Sequence, residues 1–203
     1  MENKEIEYKY WATGITNWEF EKKLRKAVSP EYRGANFPKY MYVVSCDDYW
    51  ENFLTTATPG QADFIRFRKG GGLQELTLKR KKQENVVRDE VNIDISGNSE
   101  TSVAYFLTLL GYTKTFQVYK EAWIWHFDDC VVSYYTLADG RSVIELEAIG
   151  YYTTKQGIDT INLYEKSLGI ENLEIFHDFR KSLRESYFFV VESRRSRRWL
   201  PTL

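Results

Sequence analysis

Alternation is the feature that most limits what this chain can become. Stretch after stretch sets charged and apolar residues at two-residue intervals, the period of a β-strand and not of a helix. The first is Lys4-Glu5-Ile6-Glu7-Tyr8-Lys9-Tyr10-Trp11. As a strand it carries Glu5, Glu7 and Lys9 on one face and Ile6, Tyr8 and Tyr10 on the other. Two carboxylates about 7 Å apart along a strand can hold a hard divalent cation, and a lysine one step on can hold an anion that the cation also touches. For a single strand, a charged face turned to water is the plainer reading. The weight falls on whether other strands match it.

They do. Between Ala62 and Lys69, Arg66 and Arg68 oppose Ile65 and Phe67. Gly70-Gly71-Gly72 then makes a turn; it lacks the Gly-Lys-Ser/Thr ending and the following helix of a phosphate loop. On the return strand, Glu75 to Lys82, Leu76 and Leu78 alternate with Thr77, Lys79 and Lys81. From Val86 to Ile95, Arg88, Glu90 and Asn92 oppose Val87, Asp89, Val91 and Ile93. Three successive strands thus carry cations at every second position. Far along the chain, Ser142 to Ile149 repeats the first pattern, with Glu145 and Glu147 facing away from Ile144 and Leu146. Tyr40 to Cys46, Thr115 to Glu121, Trp123 to Phe127 and Cys130 to Leu137 read as strands by residue type, the last leading into a hairpin turn at Ala138-Asp139-Gly140-Arg141.

Helical spacing is confined to a few places. Thr16 or Asn17 caps a helix from Trp18 to Ala27 whose apolar side holds Trp18, Leu24 and Val28, and Ser29-Pro30 stops it. Asn98 or Ser99 caps a second, with Val103, Phe106, Leu107 and Leu110 as its stripe and Gly111 as its end. Gln156 to Leu168, with Ile158, Ile161, Leu163 and Leu168, and Asn172 to Arg184, with Leu173, Phe176, Phe179 and Leu183, also have helical spacing; a short strand at Tyr187 to Val191 and a basic end, Arg194 to Arg198, follow. Glu31 to Lys39 and Thr55 to Gln61 read as loops.

A chain of 203 residues with 43% hydrophobic residues suits one domain with a real core. Residues 1–150 carry the strands and 151–203 form a mainly helical part. The formal net charge of −1 argues against non-specific nucleic-acid binding. There is no signal peptide and no apolar run of membrane-spanning length, so a cytoplasmic protein with no membrane partner is expected. Cys46 and Cys130 show no metal-ligand spacing, and His126 and His177 lie far apart. With about eight strands of this kind, the alternative to solvent-facing charges is a closed barrel whose charged face points inward to a polar ligand.

The ordered set Glu5-x-Glu7-x-Lys9, Arg66-x-Arg68, Leu76-Thr77-Leu78-Lys79, Arg88-x-Glu90, Lys120 and Glu145-x-Glu147 resembles the CYTH superfamily, the triphosphate tunnel metalloenzymes. Leu109-Leu110-Gly111-Tyr112 sits where that family has a Leu-Gly-Phe/Tyr element. The resemblance implies an α+β fold: an eight-stranded antiparallel β tunnel, a closed barrel, with helices packed outside. It implies a nucleotide or other triphosphate held along the tunnel, with Mg²⁺ or Mn²⁺ as cofactor. By the same resemblance, Glu5, Glu7, Glu145 and Glu147 are the metal ligands, and Glu5, Glu7 and Lys9 carry the catalysis. Lys9, Arg66, Arg68, Lys79, Lys81, Arg88 and Lys120 bind phosphate, and Glu90 positions a cation or touches the metal. Two positions depart from the pattern. Tyr135 stands where the family usually has an aspartate, and Ala122 where it often has an arginine. Two functions of different classes stay open: a metal-dependent triphosphatase or class IV adenylyl cyclase-like enzyme, and a binding module that sequesters or senses a phosphorylated nucleotide without turning it over.

Overall fold

The computed structural model describes residues 4–28, 30–52, 64–81 and 87–176; the side chains of Arg80, Lys81, Val87, Arg88 and Asp89 fall outside what it describes. Eight antiparallel strands are described: β1 (Lys4–Trp11), β2 (Met41–Glu51), β3 (Phe64–Gly70), β4 (Leu73–Lys81), β5 (Val87–Asp94), β6 (Thr113–His126), β7 (Cys130–Leu137) and β8 (Ser142–Ala148). Three helices accompany them: α1 (Asn17–Ala27), α2 (Glu100–Leu109) and α3 (Thr154–Leu168). Strand pairing runs β1-β5-β4-β3-β2-β6-β7-β8 and returns to β1, curling the sheet around one cavity. The seam is uneven. β1 pairs with β8 over six residue pairs, Ile6 to Trp11, but with β5 over only three, Lys4 to Ile6.

The main core lies outside the sheet. The outward residues of β1, β6, β7 and β8, including Ile6, Tyr10, Trp125, Val132, Ile144 and Leu146, pack against Phe20 and Leu24 of α1 and Ile161 and Leu168 of α3. A smaller cluster sets Trp50 and Phe67 against Val103 and Leu107 of α2. Apolar residues thus take the outer positions that helices cover, and the charged positions are left facing in. Gly157 lets α3 come close to β1, since a Cβ there would stand 2.6 Å from Ile6 Cδ1. Gly70 has φ +138°, and a Cβ on it would collide with the Val44 carbonyl oxygen. Only glycine ends β3 so tightly against β2.

Helix ends follow the sequence. Thr16 and Glu19 form a capping box on α1, Thr153 and Gln156 another on α3, and Gly169 closes α3 in the left-handed conformation. Several details differ from expectation. Trp18 is 73% exposed, because Phe20, Leu24 and Val28 form the buried row and Trp18 lies about 200° round the helix from Phe20. On α2 only Val103 and Leu107 are buried; Phe106 and Leu110 are exposed, since α2 meets the sheet along one narrow strip. Leu163 of α3 is exposed as well. β2 runs past Cys46 to Glu51, and the two segments expected from Thr115 to Phe127 are one strand, β6. The expected loop after α1 contains two short 3-10 turns, Pro30–Tyr32 and Gly34–Asn36.

The helix expected from Asn172 is absent over residues 172–176. Ile175 bridges to Tyr10, the Phe176 N–H donates to the Lys9 carbonyl at 3.0 Å, and the Phe176 ring stacks on Trp11 at 4.4 Å. Phe176 joins Tyr49, Phe64, Phe116, Tyr135, Leu137 and Val143 in an apolar cluster within the curl of the sheet. The rest of that helix, the strand at 187–191, the basic residues 194–198, His177 and the loop at 55–61 lie outside the described residues.

Candidate functional site

Inward alternation brings residues of all eight strands to one cavity of about 360 Å³, six of the strands with charged side chains. β1 supplies Glu5, Glu7 and Lys9; β3 supplies Arg66 and Arg68; β4 supplies Glu75 and Lys79. β5 adds Glu90 and Asn92, β6 adds Lys120, β7 adds Tyr135, and β8 adds Glu145 and Glu147. Nine of the eleven predicted site residues therefore border a common space. The other two are placed by backbone register only. Arg88 pairs with Glu5 of β1 and with Lys81 of β4, and the side chains of both lie outside the described residues. One end of the cavity meets the apolar cluster around Tyr49 and Phe64. The other end has Met41, Val43, Ile124, His126 and Val131 on its wall. His126, expected to be packed or on the surface, is exposed there; Trp125 beside it is fully buried in the outer core.

The cations are not bare. Lys79 is 6% exposed and lies 2.7 and 2.8 Å from the two Glu5 oxygens and 2.8 Å from Glu90. Arg66 Nη2 donates to the Thr77 hydroxyl at 2.8 Å and to Glu75 at 3.3 Å. Lys9 pairs with Glu7 and stands 3.4 Å from Glu145. Arg68 and Lys120 share Asp47, a fully buried residue of β2 that sequence reasoning did not single out. Among the described side chains, five cations thus face seven carboxylates. The interior is a lattice of both signs rather than a cationic lining. Ser45 Oγ and Arg66 Nε are buried there with no hydrogen-bond partner.

Titration follows this geometry. Burial and the neighbouring Glu7 push Glu5 well above the usual carboxylate range, although Lys79 pulls the other way. Burial works to raise Glu90, but Lys79, a hydrogen bond with Glu5 and the charge of Arg66 together hold it down to about 2. Glu147 is pushed up to about 7 by burial and by Glu145 and Glu7. The register explains the last of these, since Glu7 and Glu147 are direct cross-strand neighbours, a repulsive arrangement. Burial, with Arg68 next to it, lowers Lys120 to about 8. Tyr135 is pushed above 10 by burial and by Glu145, to which its hydroxyl donates at 3.1 Å.

Whether these residues suit a divalent cation can be asked of the donors themselves. Glu7, Glu145 and Glu147 are hard oxygen donors crowded by like charge, and for Glu147 the pull of Lys79 is outweighed by burial and by Glu145 and Glu7. A divalent cation would supply the missing charge, so the set fits such an ion in kind. As the side chains stand, Lys9 and Lys79 occupy Glu7 and Glu5, and no three acidic, histidine or cysteine side chains converge among the described residues.

No protein-family model matches the chain. No curated protein matches it either. Solved structures do resemble it. The PH1012 protein of Pyrococcus horikoshii OT3 superposes with a TM-score of 0.64 at 19% identity, over 84% of this chain and 94% of its own. A provisionally named adenylate cyclase from Vibrio parahaemolyticus gives a TM-score of 0.64 at 15% identity, over 91% and 99%. A Hippeastrum protein, also provisionally named an adenylyl cyclase and described as having a dominant triphosphatase activity, gives 0.51 at 14%, over 90% and 95%. At these identities the likeness is one of fold: this chain has the curled eight-stranded architecture of proteins that carry adenylyl cyclase names.

Proposed function

We propose that the cavity binds a polyphosphate chain, as a nucleotide, another organic triphosphate or inorganic polyphosphate, together with a divalent cation. The observation that carries this is the convergence of Lys9, Arg66, Arg68, Lys79 and Lys120 from four strands onto one enclosed space. Fixed cations at several points along a cavity match an extended polyanion better than a compact one. The orphaned Ser45 Oγ and Arg66 Nε are further donors that a phosphate oxygen would satisfy. The fold neighbours with adenylyl cyclase and triphosphatase names support the same class of ligand.

Glu7, Glu145 and Glu147, with Glu5, would hold Mg²⁺ or Mn²⁺. Such an ion, when bound, neutralises charge on the phosphate oxygens and on an attacking group. Lys9, released from Glu7, and Lys79, released from Glu5, would then turn to the phosphates. Arg66 and Arg68 would fix the chain, and Arg88 and Lys81 stand in register to extend the set. Positioning and charge neutralisation account for most of phosphoryl-transfer catalysis, so this arrangement supports metal-dependent hydrolysis or cyclisation of a triphosphate.

A specific observation favours the second reading, binding without turnover. Tyr135 is a neutral, buried phenol that engages Glu145, where a metal-binding carboxylate would be expected from the resemblance. One experiment separates the two. Purified protein is incubated with ATP, thiamine triphosphate and tripolyphosphate, each with Mg²⁺ or Mn²⁺, and phosphate release, cyclic nucleotide and retained ligand are measured. Turnover abolished by Glu7→Gln supports the enzyme. Tight retention of an intact ligand supports the binding module. Neither turnover nor binding with any of the three would end the polyphosphate reading.

A further inference from the structure

Asp47 has no counterpart among the residues expected to serve the site, yet it sits behind two of its cations. Its carboxylate accepts from Arg68 Nε at 2.8 Å and from Arg68 Nη2 at 2.9 Å, and Lys120 Nζ lies 3.2 Å from the same Oδ2. A planar fork on both oxygens with an ammonium on one of them is how arginine and lysine jointly hold a phosphoryl group. Here the anion belongs to the chain. Register keeps it in place: Asp47 pairs directly with Arg68 on β3, and Ser45, two residues before it, pairs with Lys120 on β6. Gly70 presses β3 against Val44 and Ser45, which holds that register.

Asp47 differs from the other carboxylates in what a ligand can do to it. Glu5, Glu75 and Glu90 border the open space, where an incoming anion can displace them from their cations. Asp47 does not border it and is fully buried on the central strand β2. Its charge is also fixed. Burial opposes ionisation, but Lys120 and Arg68 hold it well below the usual carboxylate range. Two positive charges at this wall are thus permanently reduced to one. Arg66, by contrast, keeps an unused buried donor in Nε.

Resting on the polyphosphate reading above, we propose that Asp47 is a resident counter-anion of the phosphate wall. It competes with the terminal phosphoryl group of a ligand for Arg68 and Lys120, and so removes the advantage that a third phosphoryl group would otherwise have over the second. The site then takes a diphosphate about as well as a triphosphate.

The test compares pyrophosphate with tripolyphosphate by calorimetry, with Mg²⁺ at fixed ionic strength, on the full chain and on Asp47→Asn. Asparagine keeps the shape and can still accept from Arg68, but gives up the charge. Wild type is expected to bind the two anions within about threefold, and Asp47→Asn to prefer tripolyphosphate by about tenfold or more, with pyrophosphate little changed. A wild-type preference for the longer chain above about tenfold, or an unaltered ratio in Asp47→Asn, would overturn the role of Asp47 and leave the polyphosphate reading standing. If circular dichroism shows that Asp47→Asn does not fold, the wild-type ratio decides alone. If neither anion binds wild type, the polyphosphate reading falls, and this inference falls with it.

Discussion

Lys79→Met removes the hub of the interior while keeping most of its volume. In wild type the Lys79 ammonium lies within 2.8 Å of both Glu5 oxygens and of Glu90, and 3.8 Å from Glu7. Taking one partner from a buried ion pair strands the other, at a cost of about 3–5 kcal/mol. The titration of Glu90 shows the same dependence: its pKa is held down from 4.5 to about 2 against the cost of burial, with Lys79 the largest of the neighbours that lower it. The sign follows from the depressed value. A carboxylate whose folded pKa lies below its unfolded one contributes stability that is fully present above about pH 4.5 and is lost as pH falls towards 2. The deficit of Lys79→Met should therefore be largest near pH 7 and shrink as pH falls below about 4.5, where protonated carboxylates no longer need the ammonium. Thermal unfolding at pH 7 and pH 3 measures it. For a chain of this size each kcal/mol moves the melting temperature by about 2–4 °C, so a fall of about 6–20 °C is expected at pH 7. A change under about 2 °C, or a deficit equal at the two pH values, would refute the view that Lys79 holds this end of the interior together.

Arg66→Ala should weaken tripolyphosphate binding by about 1.5–3 kcal/mol, the range for hydrogen bonds to charged groups, while leaving the melting temperature closer to wild type than Lys79→Met does; calorimetry and thermal unfolding check both. Lys120 has its folded pKa lowered to about 8 from 10.5, so its burial costs stability below pH 8 and that cost is relieved as pH rises towards 10.5. Wild type should accordingly gain stability relative to Lys120→Met between pH 8 and pH 10, and parallel stability curves would contradict this. Glu147, pushed up to about 7, should lose its proton when a divalent cation binds; calorimetric titration of Mn²⁺ in two buffers of different ionisation enthalpy near pH 6.5 should show proton release, reduced in Glu147→Gln. Gly70→Ala should destabilise the fold by about 1 kcal/mol or more, because a Cβ there meets the Val44 carbonyl and the φ is positive; denaturant unfolding measures it.

Most of the interior was legible because a two-residue period fixes facing whatever the partners are. Arg66, Arg68 and Lys79 turn inward for that reason, and so do both glutamate pairs. Asp47 was not legible. Val43, Ser45, Asp47 and Tyr49 continue the alternation of β2, but Asp47-Asp48 is a poor strand sequence by composition, so residue type alone ends the strand at Cys46. Pairing on both sides overrides that preference: Asp47 finds Arg68 and Lys120, and Asp48 finds Lys69 and Lys114. The misplaced apolar residues have two causes. Phe106 and Leu110 fit a helical stripe, but how wide a stripe is covered depends on the curvature of the sheet beneath, which spacing along one helix does not carry. Trp18 and Leu163 each lie about 200° round their helix from a buried residue, Phe20 and Ile161, and so face away from the sheet. Phe176 is the reverse case. Its helical spacing was real, yet stacking on Trp11 within the apolar cluster holds the segment as a bridge.

Tyr135 gains a different meaning once Asp47 is placed. By the sequence resemblance alone it stands where a carboxylate is expected on β7. Lys120, however, lies between the two residues, 3.2 Å from the Asp47 carboxylate and 4.9 Å above the Tyr135 ring. The negative charge that Lys120 needs comes from β2, and the aromatic face supplies the rest of its surroundings. A second carboxylate at Tyr135 would add an eighth to seven already facing five cations, beside Glu145 and close to Glu7. The phenol avoids that repulsion and instead donates a hydrogen bond to Glu145. Any ion held by Glu7, Glu145 and Glu147 would then find Glu145 already oriented by a neutral donor, with one ligand fewer on the β7 side. On the proposed function, that arrangement would keep the means of binding a metal–phosphate complex and weaken the means of directing an attacking group at it, which is why the rate of turnover, rather than affinity, is the property that distinguishes the two readings of this cavity.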